Sequence, residues 1–174
     1  MKKLVLLSLA VIVIVLGAAA CASMSGGPSA SVTLSPTSGS NASGTVTFRQ
    51  KADGSVDVTA HLTGVPPGVH GFHVHDKGDC GDNGNAAGGH YNPAGVAHGA
   101  PSADPHHAGD FGNVTADAAG VVDAKFNTRS ITVAPGANTV VGHAVILHAN
   151  PDDLATQPSG NAGPRIACGV VSSM

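Results

Sequence analysis

The segment TVTFRQKADGSVDVTAHL, which spans residues 45–62, decides the fold class. Residues 45–49 and 56–62 alternate polar and apolar side chains, as strands with one buried face do. The Lys-Ala-Asp-Gly sequence at 51–54 between them is a turn signal. This segment therefore predicts a hairpin of two antiparallel strands, with one face in a core and the other in solvent.

Short strand patterns also lie on both sides of this hairpin. Val32 and Leu34 alternate with Thr33 and are expected to open the first strand. Further strands are predicted at residues 69–75, 113–116, 121–126, 130–133 and 140–148. Because about eight short strands occur without a helical period, we expect an all-β protein, an antiparallel β-sandwich or barrel.

The composition agrees with this fold class and narrows the function. The 174 residues include 24 Gly and 11 Pro, which favours strands joined by turns over a helix bundle. Only 11% of the residues are charged and 42% are hydrophobic, which argues against intrinsic disorder. The net charge of −3 provides no basic surface for nucleic acid. The 10 His are unusual, and they favour a metal site because imidazole is the commonest metal ligand.

The N-terminal residues 1–20 have the pattern of a secretory signal peptide. Lys2 and Lys3 precede an apolar stretch at 4–16, and small residues follow at 17–20. An uncleaved membrane anchor is the alternative. The Ala20-Cys21 junction resembles a bacterial lipobox, which predicts a lipidated Cys21. Cleavage by the ordinary signal peptidase would instead leave Cys21 unmodified.

The cysteine count supports lipidation. The chain has three Cys, and in an oxidising compartment Cys80 and Cys168 can pair, which leaves Cys21 without a partner. A lipid on Cys21 explains the odd cysteine, and a free thiol in a flexible arm is the alternative. We therefore expect a lipidated cysteine and flexible tether over residues 21–42, followed by one folded domain over residues 43–174.

Two stretches without a strand pattern, residues 76–110 and 149–164, are predicted to be long functional loops. His73 and His75, two apart in a predicted strand, project from the same face and can reach one ion. At most one of the adjacent pair His106 and His107 is expected to face a given site. The loops and the end of strand 140–148 add the remaining candidate ligands: His90, His98, His107, Asp110 and His148. This concentration of imidazole and carboxylate predicts metal binding.

Several of these segments resemble those of copper/zinc superoxide dismutases. Residues 71–78, GFHVHDKG, resemble the copper-ligand signature of that family, and residues 160–171, GNAGPRIACGVV, resemble its second signature. Between them, GHYNP at 89–93, His98 and HAGDFGN at 107–113 match the metal loop of the family in order and spacing. The resemblance covers about residues 45–171 and implies a Greek-key β-sandwich.

The resemblance also implies the ligand sets. Copper would be held by His73, His75, His90 and His148, and zinc by His90, His98, His107 and Asp110. His90 would bridge the two metals as an imidazolate. Asp152 corresponds to a carboxylate that links a copper histidine to a zinc histidine. His107 is preferred to His106 because the family places an Asp three residues after the ligand, whereas His61, His70 and His143 would not bind metal.

The implied reaction converts two superoxide radicals to O2 and H2O2 by alternate reduction and oxidation of copper, with a structural zinc. His90 would take and deliver a proton as its bridge opens. Arg165 would lie beside the open copper position and attract the anion. A disulfide between Cys80 and Cys168 would tie the first loop to the strand next to Arg165. The second loop has no Lys, so we expect electrostatic steering of superoxide to rest on Arg165 alone.

The alternative function is a non-catalytic copper/zinc-binding envelope protein, a carrier or buffer with the same fold. We expect a bacterial, exported protein that a lipid on Cys21 holds at a membrane, facing the periplasm or the exterior. A soluble periplasmic protein is the alternative location. Self-association as a homodimer is retained as an option.

Overall fold

A computed structural model describes residues 27–37 and 39–174 of the chain. This range includes every predicted metal ligand. The predictions for the signal peptide, residues 1–20, and for lipidation of Cys21 lie outside the described residues. Within the described residues, no helix has the length and apolar character needed to cross a membrane.

The described residues form an antiparallel array of strands with almost no helix. A single 3₁₀ helix occupies Asp82–Ala87. The strands are β1 (Ser29–Pro36), β2 (Ser43–Gln50), β3 (Val56–Thr63), β4 (Gly68–His75), β5 (Asp110–Ala116), β6 (Val122–Thr128), β7 (Ala144–His148), β8 (Arg165–Val170) and the short β9 (Ser172–Ser173).

The strands follow the order β5-β4-β7-β8-β1-β2-β3-β6, and β9 pairs with β1. The two ends of this order approach each other, with the rings of Phe111 on β5 and Phe126 on β6 at a centroid distance of 5.2 Å. The sheet is therefore a nearly closed eight-stranded barrel, which confirms the predicted fold class. Two long connections follow β4 and β7: the first loop, residues 76–109, and the second loop, residues 149–164.

The hairpin predicted from residues 45–62 is confirmed as β2 and β3. Val46 pairs with Ala60 and Phe48 with Val58, and all four are buried in the core. The intervening residues, such as Thr45 and Thr47, are exposed. The alternation read from the sequence is therefore the alternation between barrel interior and solvent.

The folded domain begins earlier than predicted, so the boundary at residue 43 is wrong. β1 lies inside the range 21–42 that was expected to be a tether, and it pairs with both β2 and β8. Ala30, Val32 and Leu34 are buried in the core. Burial of this alternating set fixes the segment in the barrel despite its polar composition, and it confirms the expectation that Val32 and Leu34 open the first strand.

Two strand predictions near the C-terminal half are also corrected. Residues 130–133 form no strand, only an isolated bridge between Thr132 and Thr139, because the buried Ile131 and Val133 anchor a loop to the core. The strand predicted at 140–148 is restricted to β7, and residues 140–143 form a turn in which Val140 is buried. In both segments the apolar residues correctly indicated burial in the core, but they did not indicate a strand conformation of the backbone.

β4 and β7 position the functional side chains because both faces of these strands are covered. Phe72 pairs with Leu147 and Val74 with Val145, and these four side chains belong to the barrel core. The alternate residues point outward beneath the loops, where Ile146 joins a second apolar cluster with Cys168. His73 and His75 lie on this loop-covered face, so they are buried outside the core itself.

Candidate metal centre

Two groups of ligand atoms meet beneath the loops, and His90 belongs to both. The four-histidine group consists of His73, His75, His90 and His148. The aspartate group consists of His90, His98, His107 and Asp110. Within each group one ligand atom per residue lies within 4.8 Å of the others, and all seven residues are buried. Every ligand predicted for copper or zinc is therefore brought together, in the two predicted sets.

The four-histidine group combines one strand pair with one loop residue. His73 and His75 come from β4, and His148 ends the adjacent β7. An isolated β-bridge between His75 and His90 brings the first loop beside them. Nε2 of His75 lies 3.2 Å from Nε2 of His148, while Nδ1 of His73 and Nε2 of His90 are buried without a hydrogen-bond partner. Unpaired nitrogens this deeply buried are unfavourable unless they have a ligand.

The aspartate group is arranged around one carboxylate oxygen. Oδ1 of Asp110 lies 2.7 Å from Nδ1 of His90, 3.0 Å from Nδ1 of His98 and 3.2 Å from Nδ1 of His107. The other oxygen, Oδ2, accepts hydrogen bonds from the backbone N–H groups of Gly99 and His107. Three nitrogens and one carboxylate oxygen form the donor set of a tetrahedral zinc site.

The outward nitrogens fix which ring nitrogen carries the proton. An imidazole nitrogen that faces an oxygen acceptor must donate, so the inward nitrogen keeps its lone pair for a metal. This holds for four of the rings: His73 faces Asp152, His75 faces the carbonyl of Gly88, His107 that of Val96, and His148 that of Gly163. Both ring nitrogens of His98 face a carboxylate oxygen, Nε2 that of Asp152 and Nδ1 that of Asp110. In His90, by contrast, Nδ1 lies beside Asp110, which leaves the unpaired Nε2 as the nitrogen available to the four-histidine group.

Burial keeps the imidazoles of His73, His75 and His148 neutral. It disfavours the charged ring and lowers the pKa of His73 to about 4 and that of His148 to about 3. The same cause lowers the pKa of His75 well below its usual value. The rings therefore have free lone pairs at neutral pH, as metal ligation requires.

The two aspartates remain ionised. Burial opposes the ionisation of Asp110, but hydrogen bonds from His90 and from backbone N–H groups outweigh it and lower its pKa. Burial likewise opposes ionisation of Asp152, whose pKa is lowered overall by hydrogen bonds from His73, from the Leu154 backbone and from His98. Asp152 accepts from His73 at 2.8 Å and from His98 at 3.0 Å, so it joins the two groups as predicted.

A cavity of about 600 Å³ opens onto the four-histidine group. His75, His90 and His148 line it together with Arg165 and part of the second loop. The Arg165 guanidinium donates to the backbone carbonyls of Gly84 and Gly88. Burial lowers its pKa, yet an arginine remains charged at neutral pH. The cavity thus presents a fixed cation beside the histidines.

The predicted disulfide is present between Cys80 and Cys168, with a Cα–Cα distance of 5.8 Å. It links the first loop to β8, the strand that begins at Arg165. The loop segment that follows Cys80 carries the carbonyl acceptors of Gly84 and Gly88. The disulfide therefore helps to hold Arg165 and its acceptors together.

The remaining histidines lie outside the two groups, as expected. His70 braces the site, because its Nδ1 lies 2.8 Å from the His148 carbonyl and its Nε2 lies 2.7 Å from the Pro66 carbonyl. Nδ1 of His106 contacts the carbonyl of His107 and not a ligand group. The ring of His143 stacks on Tyr91, and His61 pairs with Asp123 at the surface.

Two amide side chains hold the backbones of Asp152 and His98, and the sequence analysis assigned neither amide a role. The Asn113 side chain donates to the Asp152 carbonyl and accepts from its N–H, at 2.9 and 2.7 Å. Gln157 makes the same two-point contact with the backbone of His98. Asn113 could have been found from its place in the HAGDFGN motif, three residues after Asp110. Gln157 lies in the second loop outside the quoted motifs.

Comparisons with known proteins agree with this geometry. A family model described as copper/zinc superoxide dismutase (SODC) matches residues 42–171. A similar solved structure, titled as the crystal structure analysis of the clock protein EA4, is 38% identical in sequence, with a TM-score of 0.76. That match covers 84% of this chain and 94% of the other. This chain therefore belongs to the copper/zinc superoxide dismutase family.

Proposed function

We propose that the protein is a superoxide dismutase that converts two superoxide radicals to O2 and H2O2, with copper in the four-histidine group and zinc in the aspartate group. The observation that carries the proposal is the placement of His90. Its Nδ1 lies beside Asp110, and its Nε2, the nitrogen available to the four-histidine group, is buried without a partner. Family membership supports the same assignment.

The donor sets fit these two metals. Imidazole nitrogens suit copper, and three nitrogens with a carboxylate complete a tetrahedral structural zinc site. Copper, when bound, supplies one-electron chemistry, being reduced by one superoxide and reoxidised by the next. Asp152 aligns His73 and His98, and so keeps a copper ligand and a zinc ligand in fixed orientations.

Arg165 has the position expected of an anion-binding residue. Its charge lies at the cavity beside His75, His90 and His148, and the carbonyls of Gly84 and Gly88 fix its orientation. A fixed guanidinium attracts and orients a small anion such as superoxide. No Lys occurs in the second loop, so attraction into this cavity rests mainly on Arg165.

His90 is suited to hold and deliver a proton. Its Nε2 is buried and has no competing hydrogen-bond partner, and His90 belongs to the four-histidine group. Because His90 also lines the cavity, a proton held on Nε2 lies next to the bound anion. This arrangement supports general acid assistance in forming H2O2.

A metal carrier or buffer without turnover is the second candidate. The similar solved structure is titled a clock protein, and that title names no reaction. The deciding experiment measures copper and zinc content and superoxide removal on one purified sample. A dismutase removes superoxide in proportion to its copper content, whereas a carrier binds both metals and leaves the superoxide decay rate unchanged.

We also propose that the protein is exported in a bacterium and attached to an envelope membrane through a lipid on Cys21. The Ala20-Cys21 junction and the disulfide, which leaves Cys21 as the odd cysteine, support this location. Two or three acyl chains give stable anchoring. Cys21→Ser should move the protein out of the membrane fraction with its specific activity intact. A wild-type protein that is already soluble would favour a soluble periplasmic enzyme.

A further inference from the structure

Among the described residues, His98 is the one ligand of the aspartate group that forms hydrogen bonds with the second loop. Three of the four polar atoms of His98 have partners in this loop: its backbone N–H and carbonyl contact Gln157, and its Nε2 contacts Asp152. The fourth atom, Nδ1, faces Asp110. Among the other described members of this group, His107 is held within the first loop by Val96.

The side-chain amide of Gln157 forms two hydrogen bonds with the backbone of His98, as a neighbouring strand would. Its Oε1 accepts from the His98 N–H at 2.9 Å, and its Nε2 donates to the His98 carbonyl at 2.9 Å. A second bond from Nε2 to the Ala155 carbonyl, 3.2 Å long, orients the amide. His98 lies in a stretch without regular strand pairing, so these two bonds replace the ladder that would otherwise fix its backbone.

The second loop also packs closely against His98 at Gly160. At Gly160, φ is +66°, and a Cβ there would meet Oδ1 of Asp152 at 1.7 Å and Nε2 of His98 at 2.8 Å. The loop backbone therefore lies directly against the imidazole that Asp152 holds. The start of the second loop is fixed separately, because the Gly71 N–H donates to the carbonyl of Asn150 at 2.8 Å.

We propose that Gln157 is a positioning residue for the zinc ligand His98 and that it couples the order of the second loop to zinc occupancy. The inference rests on the proposed metal assignment. Gln157 fixes the backbone of His98 while Asp152 fixes its ring, so zinc binding and closure of the loop tip stabilise each other. Since reciprocal coupling is a thermodynamic requirement, loss of the clamp must weaken zinc retention and loosen the zinc-bound loop together.

The test compares Gln157→Ala with wild type and with Ser159→Ala. Ser159 lies on the same loop and lines the same cavity, and in the described chain it makes no hydrogen bond to His98. Zinc release from the loaded protein to an excess of a chromogenic chelator is the first measurement. Loss of two partly exposed hydrogen bonds should make release about five- to tenfold faster in Gln157→Ala and leave Ser159→Ala unchanged.

Two further readouts separate positioning from general destabilisation. In protein carrying Co²⁺ in the aspartate group, the visible absorption bands should shift in Gln157→Ala, because His98 is reoriented. Amide exchange over residues 154–161 should slow when zinc binds to wild type, and slow less in Gln157→Ala. Gln157→Glu keeps the acceptor but directs a carboxylate at the His98 carbonyl, so it should fail to restore retention.

The outcomes distinguish this inference from the proposed function. Equal zinc release from wild type and Gln157→Ala, with unchanged cobalt bands, would overturn the role of Gln157 and leave the metal assignment intact. Faster release from Ser159→Ala by the same factor would also overturn it, because any change to the loop would then suffice. A wild-type protein that takes up no zinc would overturn the proposed metal assignment itself.

Discussion

Asp152→Asn is the substitution that most specifically probes the link between the two ligand groups. The Asp152 side chain is fully buried, and its two oxygens accept from Nε2 of His73 and Nε2 of His98. Asparagine has nearly the same shape, but it offers one oxygen and one NH2 group. At least one of the two imidazole N–H groups must then face a donor, and that ring loses the partner that fixes its proton on Nε2.

The size of the effect follows from the lost hydrogen bond. A hydrogen bond to a charged group contributes about 1.5–3 kcal/mol, and no discount for solvent applies to a fully buried carboxylate. Since about 1.4 kcal/mol corresponds to a factor of ten, at least one group should lose about 10- to 100-fold in metal affinity. Chelator competition, followed separately for copper and zinc at pH 7, measures both affinities.

Asp153→Asn is the matched control. It removes the same charge one residue away, but Asp153 is exposed and bonds only within the second loop, to residues such as Thr156 and Asn161. Both metals should be retained as in wild type. If Asp152→Asn holds copper and zinc as tightly as this control does, Asp152 does not align the ligands and the reasoning is refuted.

Three further outcomes are expected. His75→Ala should abolish copper-dependent turnover and leave zinc content near wild type, because His75 belongs only to the four-histidine group; equal loss of both metals would contradict the assignment. Arg165→Glu should lower the rate with superoxide far more than metal content, and an unchanged rate would show that Arg165 does not meet the anion. The metal-free protein should lose unfolding free energy as pH falls from about 6.5 to 4, because an unfolded His73 takes a proton near 6.5 whereas its folded pKa is about 4. This group alone accounts for up to about 3 kcal/mol, and urea unfolding that is independent of pH over this range would be inconsistent with it.

The barrel was predictable wherever alternating side chains matched the two faces of a strand. The hairpin of β2 and β3 follows directly from residues 45–62, and the spacing of His73 and His75 placed both on one face of β4. β1 was partly missed because its outward residues are Ser and Thr, which made a strand resemble a tether. Residues 130–133 were overpredicted because buried loop residues can show the same alternation.

The ligands were predictable from residue type and motif, whereas the groups that hold them were not. His90 and Asp110 lie in recognisable segments of the first loop. The proton positions depend on backbone carbonyls, such as those of Gly88 and Gly163, and any residue can supply a carbonyl. The clamp of Gln157 on His98 joins residues 59 positions apart, and it has no local sequence pattern.

One imidazole, that of His90, is proposed to bind both metal ions. Electron paramagnetic resonance of protein carrying Cu²⁺ in both ligand groups tests it most directly, because an imidazolate shared by two copper ions couples their unpaired electrons. The signal per copper should fall well below that of protein with copper in the four-histidine group alone. A signal that simply doubles as the second group fills would show two independent sites and contradict the shared role of His90.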